Sequence, residues 1–186
     1  MRIVLASSSP RRRELLAEAG LDFEVIVSAA EEIHDVTMPL HDLCEENARL
    51  KAAAVAAEHP DATVIGADTL VYIDAEPLGK PADLDAARLM LRRLSGRTHV
   101  VCTGVAICRP GGTVDLFHDL TEVTFHAFDD EVIDRYFTIA NPLDKAGAYG
   151  IQEHGNLFVA EISGSYENVM GLPVEKVMTA LSNLDS

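Results

Sequence analysis
The sequence predicts an α/β protein built on a mixed sheet with long antiparallel strands. Short apolar runs over residues 2–6 and 63–73 alternate with stretches of helical period. Two long strand-like runs between Thr98 and Phe128 flank Pro110-Gly111-Gly112, a hairpin signal. Hydrophobic residues make up 48% of the 186 positions, so a core can form without disulfides or metal staples.

Taken in order, residues 2–6 (R-I-V-L-A) read as a short buried strand. Ser9 and Pro10 supply the N-cap and first-turn proline of a helix carrying Leu15, Leu16 and Ala19, which Gly20 ends. A second strand is expected over 23–27. Pro39 opens a longer helix through about Glu58, with Leu40, Leu43, Cys44, Leu50 and Ala54 expected on its inner side. The strand over 63–73 is expected to be interrupted at Asp68. Asp83 caps a helix with Leu84, Ala87, Leu91 and Leu94, and Gly96 follows it. After the hairpin, Asp129 and Asp130 start a helix with Val132, Ile133, Tyr136 and Phe137. A glycine-rich loop, a strand near 157–162 and a last helix after Pro173 complete the chain. With no repeats and no long linker, a single domain over 1–186 is expected.

Composition narrows the function. A formal net charge of −15 argues against holding a nucleic-acid polymer by its phosphates. It does not argue against a small anionic substrate, because a local cluster of cations can override the overall field. Three cysteines without C-x-x-C or zinc spacing suit a reducing compartment. The first six residues are too short for a signal peptide, and no later stretch approaches a membrane span. A cytoplasmic protein without a membrane partner is expected.

Four loops hold more charge and glycine than connection requires. Ser7-Ser8-Ser9-Pro10-Arg11-Arg12-Arg13 follows a strand and opens a helix, where free N–H groups favour an anion. The same string also suits an ordinary capped helix with solvated arginines. Gly66-Ala67-Asp68-Thr69 sets a carboxylate among β-formers, expensive unless it is paired, metal-bound or facing a cleft; a turn aspartate is the alternative. Leu78-Gly79-Lys80-Pro81 lacks the first glycine and the Ser/Thr of a P-loop, so that motif is rejected, although a lysine on a rigid turn is still able to contact a phosphate. The stretch from Asn141 to Gln152 is rich in small residues, as either a close approach to ligand or a tight structural loop would require. The seven histidines show no H-E-x-x-H spacing, and there is no G-x-S-x-G nucleophile elbow.

Eight stretches occur in one order along the chain: S-S-S-P-R-R-R-E-L-L, E-E at Glu32, N-A-R-L-K-A around Lys51, G-A-D-T, L-G-K-P, L-S-G-R-T-H-V-V-C-T-G-V, P-L-D-K-A-G-A-Y-G-I-Q and G-S-Y-E-N-V-M-G-L-P. In this the chain resembles the Maf family. The resemblance implies a fold akin to the inosine-triphosphate pyrophosphatases (Maf/Ham1), with two lobes around a cleft, and usually a homodimer. It implies hydrolysis between the α and β phosphates of noncanonical or pyrimidine nucleotides, with a divalent cation such as Mg or Mn. The family's general base matches Asp68 and its second acidic residue Glu32, the two candidate metal ligands. Its phosphate-contacting cations match Arg12, Arg13, Lys51 and Lys80, with Ser8 beside them on the first loop; Lys51 and Lys80 join Asp68 as catalytic candidates.

The chemistry agrees. Water attacking a phosphorus of dense negative charge requires neutralised charge and an oriented nucleophile, and a carboxylate can orient water or take its proton. Arg11, Thr69 and Gln152 stand where the family sorts its substrates, a combination similar to the dTTP/UTP subgroup. One departure from the family's pattern, Asn141 where an acidic residue is common, touches none of these positions. Two other readings compete: the same fold acting on 7-methyl-GTP or another noncanonical nucleotide, and a non-catalytic regulator of cell division.

Overall fold
The computed structural model describes residues 2–35 and 37–182. Met1, Val36 and residues 183–186, including both ends of the expected 1–186 domain, lie outside the described residues. The strands are β1 (Ile3–Leu5), β2 (Glu24–Val25), β3 (Thr63–Ile73), β4 (Glu76–Leu78), β5 (Thr98–Cys108), β6 (Val114–Phe125) and β7 (Val159–Ser163). The helices are α1 (Pro10–Glu18), α2 (Leu40–Glu58), α3 (Leu84–Leu94), α4 (Asp130–Ile139), α5 (Tyr166–Met170) and α6 (Val174–Ser182). The strands form one sheet in the order β2-β1-β3-β5-β6-β7, with β4 also on β3. β1 pairs parallel with β2 and β3, whereas the β3–β4 and β6–β7 pairs are antiparallel, so the sheet is mixed as expected. No helix among the described residues is long and apolar enough to cross a membrane.

The chain divides into two compact units. One comprises Met1–Thr69, Thr103–Asp119 and Gly171–Ser186, the other Leu70–Cys102 and Leu120–Met170. β3, β5 and β6 contribute residues to both.

The first unit has a core of small residues, with Val4, Ala6, Ala48, Ala52, Val55, Val64 and Ala106 in one cluster. Its geometry turns on Gly66. A Cβ at this position would overlap the Ala48 carbonyl and Ala52, so only glycine lets α2 lie this close to β3. Asp68, two residues on and on the same face of the strand, is carried up to the same helix. The second unit has an aromatic core instead. Phe158 meets Phe125 at 5.6 Å, Tyr136 at 4.9 Å and Phe128 at 4.8 Å between ring centroids, each pair worth roughly 0.5–1.5 kcal/mol beyond burial.

The caps fall where the sequence places them. Ser9, Asp83 and Asp129 accept from backbone N–H groups at the starts of α1, α3 and α4. Three expectations are corrected. β3 runs without interruption through Asp68, because partners on α2 offset the cost of a carboxylate in mid-strand. The inner side of α2 is Leu43, Cys44, Asn47, Ala48, Ala52 and Val55, while Ala54 is exposed and Leu40 and Leu50 are half-buried. The second strand shrinks to Glu24–Val25, both exposed, and β4 and α5 add short elements that periodicity does not reveal.

Candidate active site
The first unit gathers most of the candidate residues. β1 ends and Ser7 turns the chain, its hydroxyl accepting from the Ser9 N–H at 3.2 Å. α1 then presents Arg12 inward. Its guanidinium donates from Nε to the Gly171 carbonyl at 2.8 Å, from Nη1 to the Ser7 hydroxyl at 3.2 Å, and from Nη2 to the Thr69 hydroxyl at 2.9 Å. Three of the five guanidinium N–H groups are thereby used, leaving one on each terminal nitrogen. Burial lowers the Arg12 pKa from its ordinary value; Asp68 and Glu32 oppose this, while Arg11 adds to it. Thr69 also lies 2.9 Å from the Thr103 hydroxyl and 3.4 Å from the Gly171 carbonyl, so its own hydroxyl is committed to this network. On the same helix and the loop before it, Arg11 is half-buried and Ser8 and Arg13 are exposed.

Beside this network stands a second one. Asp68 is only 5% exposed, and Lys51 Nζ lies 2.7 Å from its Oδ1. The same ammonium lies 2.7 Å from Glu32 Oε1, so the two candidate acidic residues converge on one cation. Asn47, one helical turn before Lys51, donates from Nδ2 to Asp68 Oδ2 at 3.3 Å. Its Oδ1 accepts from the Ile33 N–H at 2.7 Å, and its Nδ2 also donates to the Ile33 carbonyl at 3.1 Å. These bonds tie the loop bearing Glu32 to α2. Two carboxylates meeting an ammonium are hard oxygen donors that suit a divalent cation of the magnesium type. Among the described residues, no group of three or more His, Cys, Asp or Glu side chains gathers to hold a metal.

The second unit carries Lys80 and Gln152, both exposed. Lys80 follows β4, and the preceding Gly79 carbonyl accepts from the Gly147 N–H at 3.1 Å. Gln152 sits on a turn in the loop that Lys145 anchors from within. Lys145 is 3% exposed, and its ammonium meets the Asn141 carbonyl at 2.8 Å, Asp144 at 2.7 Å and Glu153 at 2.9 Å. A Cβ at Gly150 would come 2.7 Å from the Lys145 stem, so the glycine leaves room for the anchor.

The sequence does not single out Asn47, Thr103 or Lys145, which these hydrogen-bond and ion-pair networks include. Asn47 had one available signal, its i to i+4 spacing from Lys51 on a helix. Thr103 had none, since only the fold sets its strand beside Thr69. Several other cations are paired away from these networks: Arg2 with Glu24, Arg49 with Glu46, Arg92 with Asp130, Arg93 with Glu76 and Lys176 with Asp119.

Comparison with known proteins places the chain. The family model described as Maf-like protein matches residues 2–184. A protein of Akkermansia muciniphila named dTTP/UTP pyrophosphatase is 52% identical over 182 residues, 98% of this chain and 96% of that protein. A protein of Bacillus mycoides with the same name is 47% identical over 185 residues, 100% of this chain and 96% of that one. Among solved structures, the Staphylococcus aureus Ham1 protein aligns over 100% of both chains with a TM-score of 0.56 at 17% identity. A HAM1 protein from Coxiella burnetii aligns with a TM-score of 0.53 at 14% identity, covering 98% of this chain and 99% of that one. At such identities the likeness speaks for the fold alone, and it is the α/β fold that the sequence predicts.

Proposed function
The chain belongs to the Maf family, and from that premise we propose that it is a nucleoside-triphosphate pyrophosphatase hydrolysing dTTP and UTP to the monophosphate and pyrophosphate. The observation that carries the proposal is the convergence of Asp68, Lys51 and Glu32 beside the Arg12 guanidinium. The relatives named dTTP/UTP pyrophosphatase support the choice of substrate.

In this reading water attacks the α-phosphorus, and the bond from that phosphorus to the oxygen bridging to the β-phosphate breaks. Asp68 orients the water and takes its proton. Its carboxylate is held on both oxygens, so its direction is set before the substrate arrives. Negative charge gathers on the phosphoryl oxygens and on the departing pyrophosphate. Lys51 and the remaining N–H groups of Arg12 neutralise part of it, with Arg13, Lys80 and Ser8 as further substrate contacts. Base choice rests on Arg11 and Gln152, whose amide offers both a donor and an acceptor to a pyrimidine edge. Thr69, the third position that the resemblance associates with that choice, acts instead on the triphosphate through Arg12, to which its hydroxyl is committed.

A divalent cation, Mg²⁺ or Mn²⁺, belongs to the same proposal. Glu32 and Asp68 would hold it, and the triphosphate and water would complete its ligands, as magnesium sites commonly arrange. It would neutralise and polarise the phosphoryl oxygens. Cytoplasmic residence and a homodimer, without nucleic-acid or membrane partners, are also proposed; the buried thiols of Cys44, Cys102 and Cys108 support the first.

The test is a nucleotide panel with purified protein and Mg²⁺. One monophosphate and one pyrophosphate per turnover are expected from dTTP and UTP, and excess chelator is expected to stop the reaction. Orthophosphate and a nucleoside diphosphate as first products would overturn the proposal.

A further inference from the structure
We infer that Asn47 is a positioning residue for hydrolysis, fixing the direction of the Asp68 carboxylate and the place of Glu32 through one buried amide. The inference rests on the pyrophosphatase reading above and deepens it.

Asparagine is a poor residue for a helix interior, and a buried amide is costly unless its polar atoms are paired. Asn47 lies within α2 at 2% exposure. Its contacts explain why it stands there. The Ile33 N–H requires an acceptor, which fixes Oδ1 toward the loop. Nδ2 then has one N–H for the Ile33 carbonyl at 3.1 Å and one for Asp68 Oδ2 at 3.3 Å. Donors and acceptor are all engaged, so the amide orientation follows from its partners and not from choice of fit.

Lys51, one turn on, repeats the pattern with charge. It holds the other oxygen of Asp68 and the side chain of Glu32, the residue before Ile33. Asn47 and Lys51 thus clamp the same two objects, β3 at Asp68 and the loop at 32–33, from one face of one helix. An ammonium can swing on its four-carbon stem while keeping its attraction; a short amide bonded on three sides cannot. Lys51 therefore supplies charge, and Asn47 supplies direction. The charged groups around the carboxylate are Lys51, Glu32 and Arg12.

Only an amide performs both tasks at this length, which gives the test. Asn47→Asp keeps an acceptor for the Ile33 N–H but loses the donor to Asp68 and sets a second carboxylate against it. Asn47→Leu has similar volume and loses both contacts. Turnover of dTTP, affinity for a non-hydrolysable α,β-imido analogue, and hydrogen exchange at the Ile33 amide are measured for the wild type and both variants. Asn47→Asp is expected to lose about 10²-fold in kcat, as a misdirected reacting group typically costs, while the Ile33 amide keeps its protection. Analogue affinity of Asn47→Asp should fall by less than its turnover does, since Asn47 bonds to Asp68 and Ile33 and to none of the cations proposed to meet the triphosphate. Asn47→Leu is expected to expose the Ile33 amide and to lose turnover as well. A residue that merely pins the loop gives the opposite rank, with Asn47→Asp near wild-type turnover and only Asn47→Leu impaired, and that result overturns the inference. A wild type inactive on every nucleotide overturns the pyrophosphatase reading itself, a different outcome from an active wild type with an active Asn47→Asp.

Discussion
Arg12 Nη2 donates to the Thr69 hydroxyl at 2.9 Å, so the guanidinium that α1 turns inward is oriented by the residue that follows Asp68. The bond links a cation that every nucleotide would meet to a position the family resemblance associates with substrate choice. Thr69 passes the link on to Thr103, fully buried on β5.

Thr69→Val keeps the branched shape and removes the hydroxyl, leaving Arg12 Nη2 and Thr103 without this partner. Loss of a buried hydrogen bond to a charged group costs about 1.5–3 kcal/mol. If that loss falls on Arg12, kcat/KM drops by a similar factor for dTTP, UTP, dCTP and GTP. A loss confined to pyrimidines contradicts the route through Arg12 and returns Thr69 to the base. Arg12→Lys should be more severe, because one ammonium cannot reach Gly171, Ser7 and Thr69 together.

Asp68→Asn preserves shape and removes the charge that meets Lys51. Removing a positioned base typically lowers turnover by ~10²–10⁴-fold. The expected result is that loss in kcat with the protein still folded by circular dichroism. Near-full activity in a folded variant removes Asp68 from the mechanism.

Gln152→Glu and Lys80→Ala separate base from phosphate. The first removes the amide donors and adds a negative charge, so dTTP and UTP turnover should fall more than that of any poor purine substrate. The second should depress all nucleotides alike. kcat/KM for four nucleotides on both variants decides, and equal losses for Gln152→Glu place that residue with the phosphates.

His99 is expected to make stability depend on pH. It is 2% exposed, its Nε2 lies 2.8 Å from the Tyr149 hydroxyl, and its Nδ1 has no hydrogen-bond partner among the described residues. Burial lowers its pKa to about 4, against an ordinary 6.5, so the folded protein keeps it neutral. Between those values the unfolded chain binds a proton that the folded chain refuses, and stability therefore falls as pH drops from about 6.5 toward 4. The gap corresponds to a loss of about 3 kcal/mol at most. Urea midpoints at pH 7 and pH 5 should differ more for wild type than for His99→Gln, and equal differences would show that His99 does not carry the dependence.

Helix starts, the long hairpin and the order of the polar loops follow from local chemistry. Ser9-Pro10 and Asp83 mark caps in any context, and Pro110-Gly111-Gly112 marks a turn wherever strand formers flank it. Asp68 was legible as a candidate because a carboxylate among β-formers is costly unless it is paired, whereas Lys51 and Glu32 became candidates only through the family resemblance. What the tertiary structure decided is which groups meet. Asn47 looks like a polar residue on a helix until Gly66 lets α2 close on β3 and brings it to Asp68. Thr69 looks like a group for the substrate until Arg12 and Thr103 claim its hydroxyl. Lys145 looks like one more surface cation until the loop folds around it and buries it against Asp144 and Glu153. Sequence determines what each side chain can donate, accept or charge; hydrogen bonds reach only about 3 Å, so its partner is settled by packing between segments far apart in the chain.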